Sequence, residues 1–315
     1  MGTADVALQK PKGPSIRKEK RIVQIRLLLM LLPFVVLVFA MAYVPLFGWT
    51  YAFVDYRPGL RVRDLSFVGS KYFDILFAGR DFPNVLRNTL IMSGLGLVFL
   101  PIPAILAIMI THLRSRVGKR FVQTATSFPH FISWVLLYSI VFSVVAQAES
   151  PMNVLFMRLG WIESPINFLG NAQYAWIRQA LINVYKTVGY SAIIYIATIV
   201  AINPEYYEAA SIDGAGIMAK IRHITIPEIL PTFFVLFLLA VANALSNGFE
   251  QFFVFQTPTT LSRLEVIDTY TYRVGIMQMD FSLATAVGMF KTVISLILLM
   301  MSNLLAKKIR GEYII

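Results

Sequence analysis

The sequence predicts an all-α membrane protein with six transmembrane helices, and two observations carry that prediction. Of its 315 residues 57% are hydrophobic and 14% charged, whereas a soluble domain carries about a quarter charged residues. Too few charges are present to cover a water-facing surface, so lipid replaces it. The second observation is a set of apolar runs at 27–47, 88–111, 123–146, 176–202, 232–252 and 283–306. Each reaches the length of about 20 residues that a helix needs to cross the hydrocarbon core with its backbone polar groups paired internally.

Residues 1–26 form a basic tail containing Lys10, Lys12, Arg17, Lys18, Lys20, Arg21 and Arg26. With the apolar run and Ala40-Met41-Ala42, this tail mimics a signal peptide and its small-residue cleavage site. The run continues through Phe47, past the length of a signal core, so it is read as a retained span. The stretch 48–87 mixes arginines with Asp55, Asp64, Asp74 and Asp81, and its Arg57-Pro58-Gly59 turn suits short elements lying at the outer interface.

Basic flanks set the orientation. Arg114, Arg116, Lys119 and Arg120 follow the second span, Lys220 and Arg222 follow the fourth, and Lys307, Lys308 and Arg310 follow the sixth. With the tail they place sixteen of the 28 lysines and arginines on one side, against ten on the other. The positive side faces the cytoplasm, so both termini are expected there. The net charge of +11 is therefore a topology signal rather than a nucleic-acid footprint. The chain reads as one transmembrane domain over 27–306 with a cytoplasmic tail at 307–315. No cysteine is present, which removes disulfides, thiolate metal sites and cysteine nucleophiles from consideration.

The most informative stretch lies between the fourth and fifth spans, within the loop 203–231. Asn203 is placed to cap a short helix that Pro204 opens, and Gly214 or Gly216 to end it in the left-handed conformation. A second helix follows, and Pro227 is expected to stop it. The first helix is too short to be stable alone in water, and Ala209-Ala210 gives it a flat face for close approach. Glu208, Asp213, Lys220 and Arg222 add ion-pair handles at an aqueous interface.

The order Glu208-Ala209-Ala210, three residues, Gly214, nine residues, Ile224, one residue, Ile226-Pro227 resembles the coupling-loop signature of the permeases of binding-protein-dependent ABC importers with the type I fold. The resemblance implies that Glu208, Ala209, Ala210, Asp213, Gly214, Ile224, Ile226 and Pro227 fit a cleft on a cytoplasmic ATPase and transmit its closure to the spans. The stretches Phe121 to Thr124, Phe128 to Trp134 and Tyr185 to Tyr190 look like the oligosaccharide and polysaccharide-uptake branch. The partners implied are a second homologous permease, two ATPase subunits and an extracytoplasmic solute-binding protein, in the cytoplasmic membrane of a bacterium. No cofactor is expected on this chain; ATP and Mg belong to the partner ATPase. Accordingly, neither Gly69-Ser70-Lys71 nor Gly118-Lys119 has the second glycine and hydroxyl of a phosphate-binding loop.

Sugars are held by aromatic faces and by amides or hydroxyls, so Tyr190, Asn243, Asn247 and Gln251 are candidate pathway residues. Asparagines inside spans also bridge helices, and both roles stay open. Lys186, midway along the fourth span, either faces an open pathway, where it would attract an acidic oligosaccharide, or pairs with Glu250. Lys291 is expected to snorkel from the last span. His112, His130 and His223 lack metal-ligand spacing, and no serine, histidine and carboxylate set suggests catalysis. An ion-coupled secondary transporter is the competing class; it would require intramembrane acids, of which Glu250 alone qualifies.

Overall fold

A computed structural model describes residues 16–59 and 65–310. Much of the basic tail, the last five residues, and Arg61 and Arg63 of the arginine-rich stretch lie outside the described residues. The chain divides into two units, residues 1–50 and 51–315. In the first, α1 (Ile16–Val38) runs into a π-turn (Phe39–Tyr43) and then into a 3-10 stretch (Val44–Phe53). Its apolar window, within Val23–Phe53, buries none of its residues.

In the second unit the regular elements among the described residues are all helices, apart from an isolated bridge between Val54 and Phe67. α2 (Lys71–Ala78) is a short outer helix. α3 (Asp81–Phe99) and α4 (Pro101–His112) form one span, with Pro101 seated in the first turn of α4, where its missing N–H costs little. α5 (Arg116–Ser127), a 3-10 turn (Phe128–Phe131) and α6 (Trp134–Val145) come next, then α7 (Pro151–Arg158) and α8 (Ala175–Val200). The remainder is α9 (Pro204–Ile212), α10 (Ile217–Lys220), α11 (Ile226–Ala242), α12 (Phe249–Phe255), α13 (Leu261–Leu264), α14 (Ile267–Tyr272) and α15 (Phe281–Arg310). Among the described residues, five helical segments are long and apolar enough to cross a membrane, and the α5–α6 pair is a sixth candidate, bent by 104°.

Two predicted spans need correction. The run 123–146 is not one straight helix, because Pro129 sits in the 3-10 turn and Ser133 starts a new helix by accepting a hydrogen bond from the Leu136 N–H. The run 232–252 is displaced: the span occupies Ile217–Ala242. Pro227 does not stop a helix here. It lies in the first turn of α11, directly after a π-turn (Ile221–Thr225) in which the Ile226 N–H reaches back to the Ile221 carbonyl, so the chain continues through the proline.

One apolar cluster gathers Leu76, Phe82, Val85, Ile267 and Val287, and a second is built on close helix contacts. Ala104, Ala107 and Ala192 let α4 and α8 approach closely, and Tyr195, Ile199 and Ile229 fill the space beside them. The tightest approach is Gly189 on α8. A Cβ there would lie 2.2 Å from the carbonyl carbon and oxygen of Thr126, so α8 meets the α5 backbone directly.

Candidate functional site

The loop 203–231 is braced as a unit. The Asn203 side chain accepts a hydrogen bond from the Glu205 N–H at 3.1 Å and starts α9. Gly214 ends it at φ +77°, with the Ala215 N–H bonded to the Ala210 carbonyl at 2.8 Å; Gly216, at φ −70°, takes no part in that turn. The two halves of the loop are joined by Tyr207 to Thr225 (2.9 Å between hydroxyls) and by Lys220 to Ser211 (2.5 Å). Tyr207 and Ile224 both pack against the cluster that holds Ile199, Ile202 and Ile229, which ties α9 to the end of α8 and to α11. Glu208, Ala209 and Asp213 are exposed, with Ile212 at 88% and Met218 at 72% beside them. An exposed apolar strip with acidic neighbours, held on a stiff frame, is what docking against another protein requires. Tyr207 and Thr225 escape a sequence reading because their hydroxyls meet across 18 residues.

A cavity of about 390 Å³ lies between α3, α8 and the 236–252 region. Its polar lining is uncharged: Ser93, Asn183, Thr187, Ser191, Asn243, Ser246, Asn247 and Gln251. Three of the five residues chosen from the sequence therefore converge on it. They differ in freedom. Asn247 donates to the Thr89 carbonyl at 3.0 Å and meets the Ser93 hydroxyl, and Gln251 donates to the backbone and side chain of Gln179. Asn243 is exposed and donates only to Leu239 of its own helix. Ser93, Asn183, Thr187 and Ser191 are missed from sequence because hydroxyls and amides are common inside spans.

Lys186 and Tyr190 stand outside that lining and face the α5–α6 break. Lys186 is 7% exposed; its ammonium donates to the carbonyls of Pro129 (3.3 Å), His130 (3.0 Å) and Ile132, and lies 5.1 Å from the Trp134 ring centroid. This corrects the expectation of an open pathway or a pair with Glu250, which makes no ion pair among the described residues. The bend frees carbonyls that a straight helix would pair, and a buried ammonium is the strongest donor available to them. Tyr190 stacks on the His130 ring at 4.0 Å. Lys291 does not snorkel: it binds Asp268, which also accepts from the Gly248 N–H.

At the end of α8 away from the loop, Arg273 binds Glu265 at 2.6 Å and Asp81 at 3.1 Å. The hydrogen bonds that its guanidinium donates to the Glu265 carboxylate push it further above its ordinary value. Trp176 donates from its indole nitrogen to the Arg263 carbonyl at 2.6 Å, and Asn88 donates to the carbonyls of Ser262 and Glu265. These bonds seat α13 on α3 and α8.

A bundle of apolar helices around a polar cavity is the architecture of a membrane permease. Residues 100–311 match the family described as binding-protein-dependent transport system inner membrane component, and the chain belongs to that family, the permease subunits of ABC importers. It is 38% identical to the polygalacturonan/rhamnogalacturonan transport system permease protein YteP of Bacillus subtilis (strain 168), over 99% of each chain. It is 37% identical to Protein LplB of the same organism, over 91% of this chain and 90% of that one. In structure it is similar to a chain of a bacterial alginate ABC transporter in complex with an alginate pentasaccharide-bound periplasmic protein. The TM-score is 0.85 at 31% identity, covering 96% of this chain and 100% of that one.

Proposed function

We propose that this chain forms one half of the membrane pathway of an ATP-driven importer of oligosaccharides, and that its solutes are acidic ones derived from polyuronates. The observation that carries the reading is the loop 203–231: exposed at Glu208, Ala209 and Ile212, braced by Tyr207 and Thr225, and present in a chain of the permease family. Two ATPase subunits hydrolyse ATP with Mg and dock on this loop, a second homologous permease completes the pathway, and an extracytoplasmic binding protein delivers the solute. The chain itself catalyses nothing. It sits in the cytoplasmic membrane of a bacterium with both termini and the loop on the cytoplasmic side, a reading supported by its basic flanks.

Glu208, Ala209, Ala210, Asp213, Gly214, Ile224, Ile226 and Pro227 form the docking element and its root, and Asn243, Asn247 and Gln251 belong to the solute path. Lys186 and Tyr190 serve the path indirectly by holding the bent span. The acidic class is supported by the names of YteP and of the alginate transporter, since polygalacturonan and alginate are both uronate polymers.

The test is co-purification and uptake. The complex assembled with Glu208→Arg is expected to lose its ATPase subunits in detergent and ATP-dependent trigalacturonate uptake in proteoliposomes. Normal ATPase retention and uptake by that variant would overturn the coupling role. Uptake driven by an ion gradient through this chain alone would favour a secondary transporter.

A further inference from the structure

We infer that Arg87 and Arg263, gathered on the ring of Trp176, form a rim at the outer end of the cavity that reads the carboxylates of the arriving solute. This rests on the importer reading above and adds to it the residues that set charge preference. Trp176 belongs to the helical stripe 176, 180, 183, 187, 191, whose later members Ala180, Asn183, Thr187 and Ser191 line the cavity. Its ring packs against the cluster that holds Met92, Ala180 and Phe252, which line the same cavity. α8 has 26 residues and is about 39 Å long, so Trp176 marks the end opposite the loop 203–231.

The chemistry of the rim is that of an anion site. The guanidinium carbon of Arg263 lies 4.3 Å and that of Arg87 5.7 Å from the Trp176 ring centroid. Neither forms an ion pair among the described residues, whereas Arg273 and Lys291 are satisfied by Glu265, Asp81 and Asp268. Two cations sharing one ring repel each other, and an anion between them relieves that repulsion. The guanidinium fork matches a carboxylate better than an ammonium would. No side chain caps the start of α8, so the positive end of its dipole adds to the field. The indole-to-Arg263 and Asn88 hydrogen bonds fix the backbone that presents Arg263, which lowers the ordering cost on binding.

The cavity beyond the rim is lined by hydroxyls, amides and apolar groups, with no charged side chain. It distinguishes ring and hydroxyl patterns but not charge. Within this chain, then, selection for an acidic solute falls to the rim.

The test compares the wild-type transporter with an Arg87→Gln/Arg263→Gln double variant, each reconstituted with its ATPases, second permease and binding protein. The probes are trigalacturonate and its neutral methyl ester. The expected result is about tenfold weaker uptake of trigalacturonate by the double variant with methyl ester uptake changed by less than about twofold, and recovery of most trigalacturonate uptake in the Arg→Lys pair. Equal trigalacturonate uptake by wild type and variant overturns the rim and leaves the importer reading intact. Equal loss of both probes makes the arginines structural and also overturns it. A defect that follows vesicle phosphatidylglycerol content instead of solute charge assigns them to lipid headgroups, a third overturning outcome. Failure of the wild type to take up either trisaccharide removes the acidic-oligosaccharide reading itself, and the rim with it.

Discussion

Lys186 donates to the carbonyl oxygen of His130 at 3.0 Å, from the middle of one spanning helix into the break of another. Three residues along the same helix, Gly189 lets the backbone of Thr126 come into direct contact. The bent α5–α6 segment is thus held at two adjacent points, one polar and one steric.

Removing the polar hold leaves the carbonyls of Pro129, His130 and Ile132 without their charged donor. Lys186→Met is expected to cost about 3 kcal/mol of stability, read as a lower thermal midpoint in detergent. The ratio of acidic to neutral trisaccharide uptake should stay at the wild-type value, because the ammonium does not line the cavity. A changed ratio would return Lys186 to the solute path.

Gly189→Ala forces a methyl group to within 2.2 Å of the Thr126 carbonyl, and the backbone on both sides must move. The expected loss is about 3 kcal/mol or more, seen as poor accumulation or a sharply lower midpoint. Gly288→Ala is the matched control. A Cβ there meets nothing within 4 Å, so that variant should be neutral or gain about 0.5–1 kcal/mol.

Within the cavity, Asn243 and Asn247 should separate. Asn243→Ala removes an exposed amide that bonds only its own helix, so the KM for uptake should rise at unchanged stability. Asn247→Leu breaks the link to the Thr89 carbonyl and is expected to lower stability by about 1–2 kcal/mol. The reverse pattern in melting and uptake assays would exchange their roles.

Tyr207→Phe deletes the hydroxyl contact to Thr225 but leaves Glu208 and Ala209 untouched on the exposed face. ATPase subunits should still co-purify with this variant while uptake per ATP hydrolysed falls. Gly214→Ala, at φ +77°, should cost about 1–2 kcal/mol in the loop. Wild-type coupling efficiency in Tyr207→Phe would show that α9 needs no brace.

Local signals predicted the local parts well. The Asn203 cap and the Pro204 opening are where short-range physics puts them, and Gly214 resolves the choice left open with Gly216. The bend at 131–134 was hidden because hydropathy stays high across it; Pro129 and Ser133 carry the signal, but neither alone separates a break from a kink. Pro227 misled for the opposite reason: a proline usually ends a helix, and the π-turn that carries the chain past it has no sequence signature. Lys186 could not be assigned from sequence because its partners are backbone carbonyls more than 50 residues away, which no residue type advertises. The cavity was legible only in part, since which face of a helix its amides occupy depends on neighbours.

The widened turn at Ile221–Thr225 and the ring of Pro227 have a mechanical consequence. Proline withholds one rung of the ladder, and a π-turn replaces the regular rungs just before it with longer ones. Pro231 withholds a further rung one turn on, so compliance is concentrated over residues 221–231 at the root of α11, while the helix beyond it, up to Ala242, keeps its regular rungs. A small tilt delivered at that root is magnified along the part of α11 beyond Pro231, where Leu236 and Ala240 line the cavity, and arrives as a lateral sweep of the cavity wall.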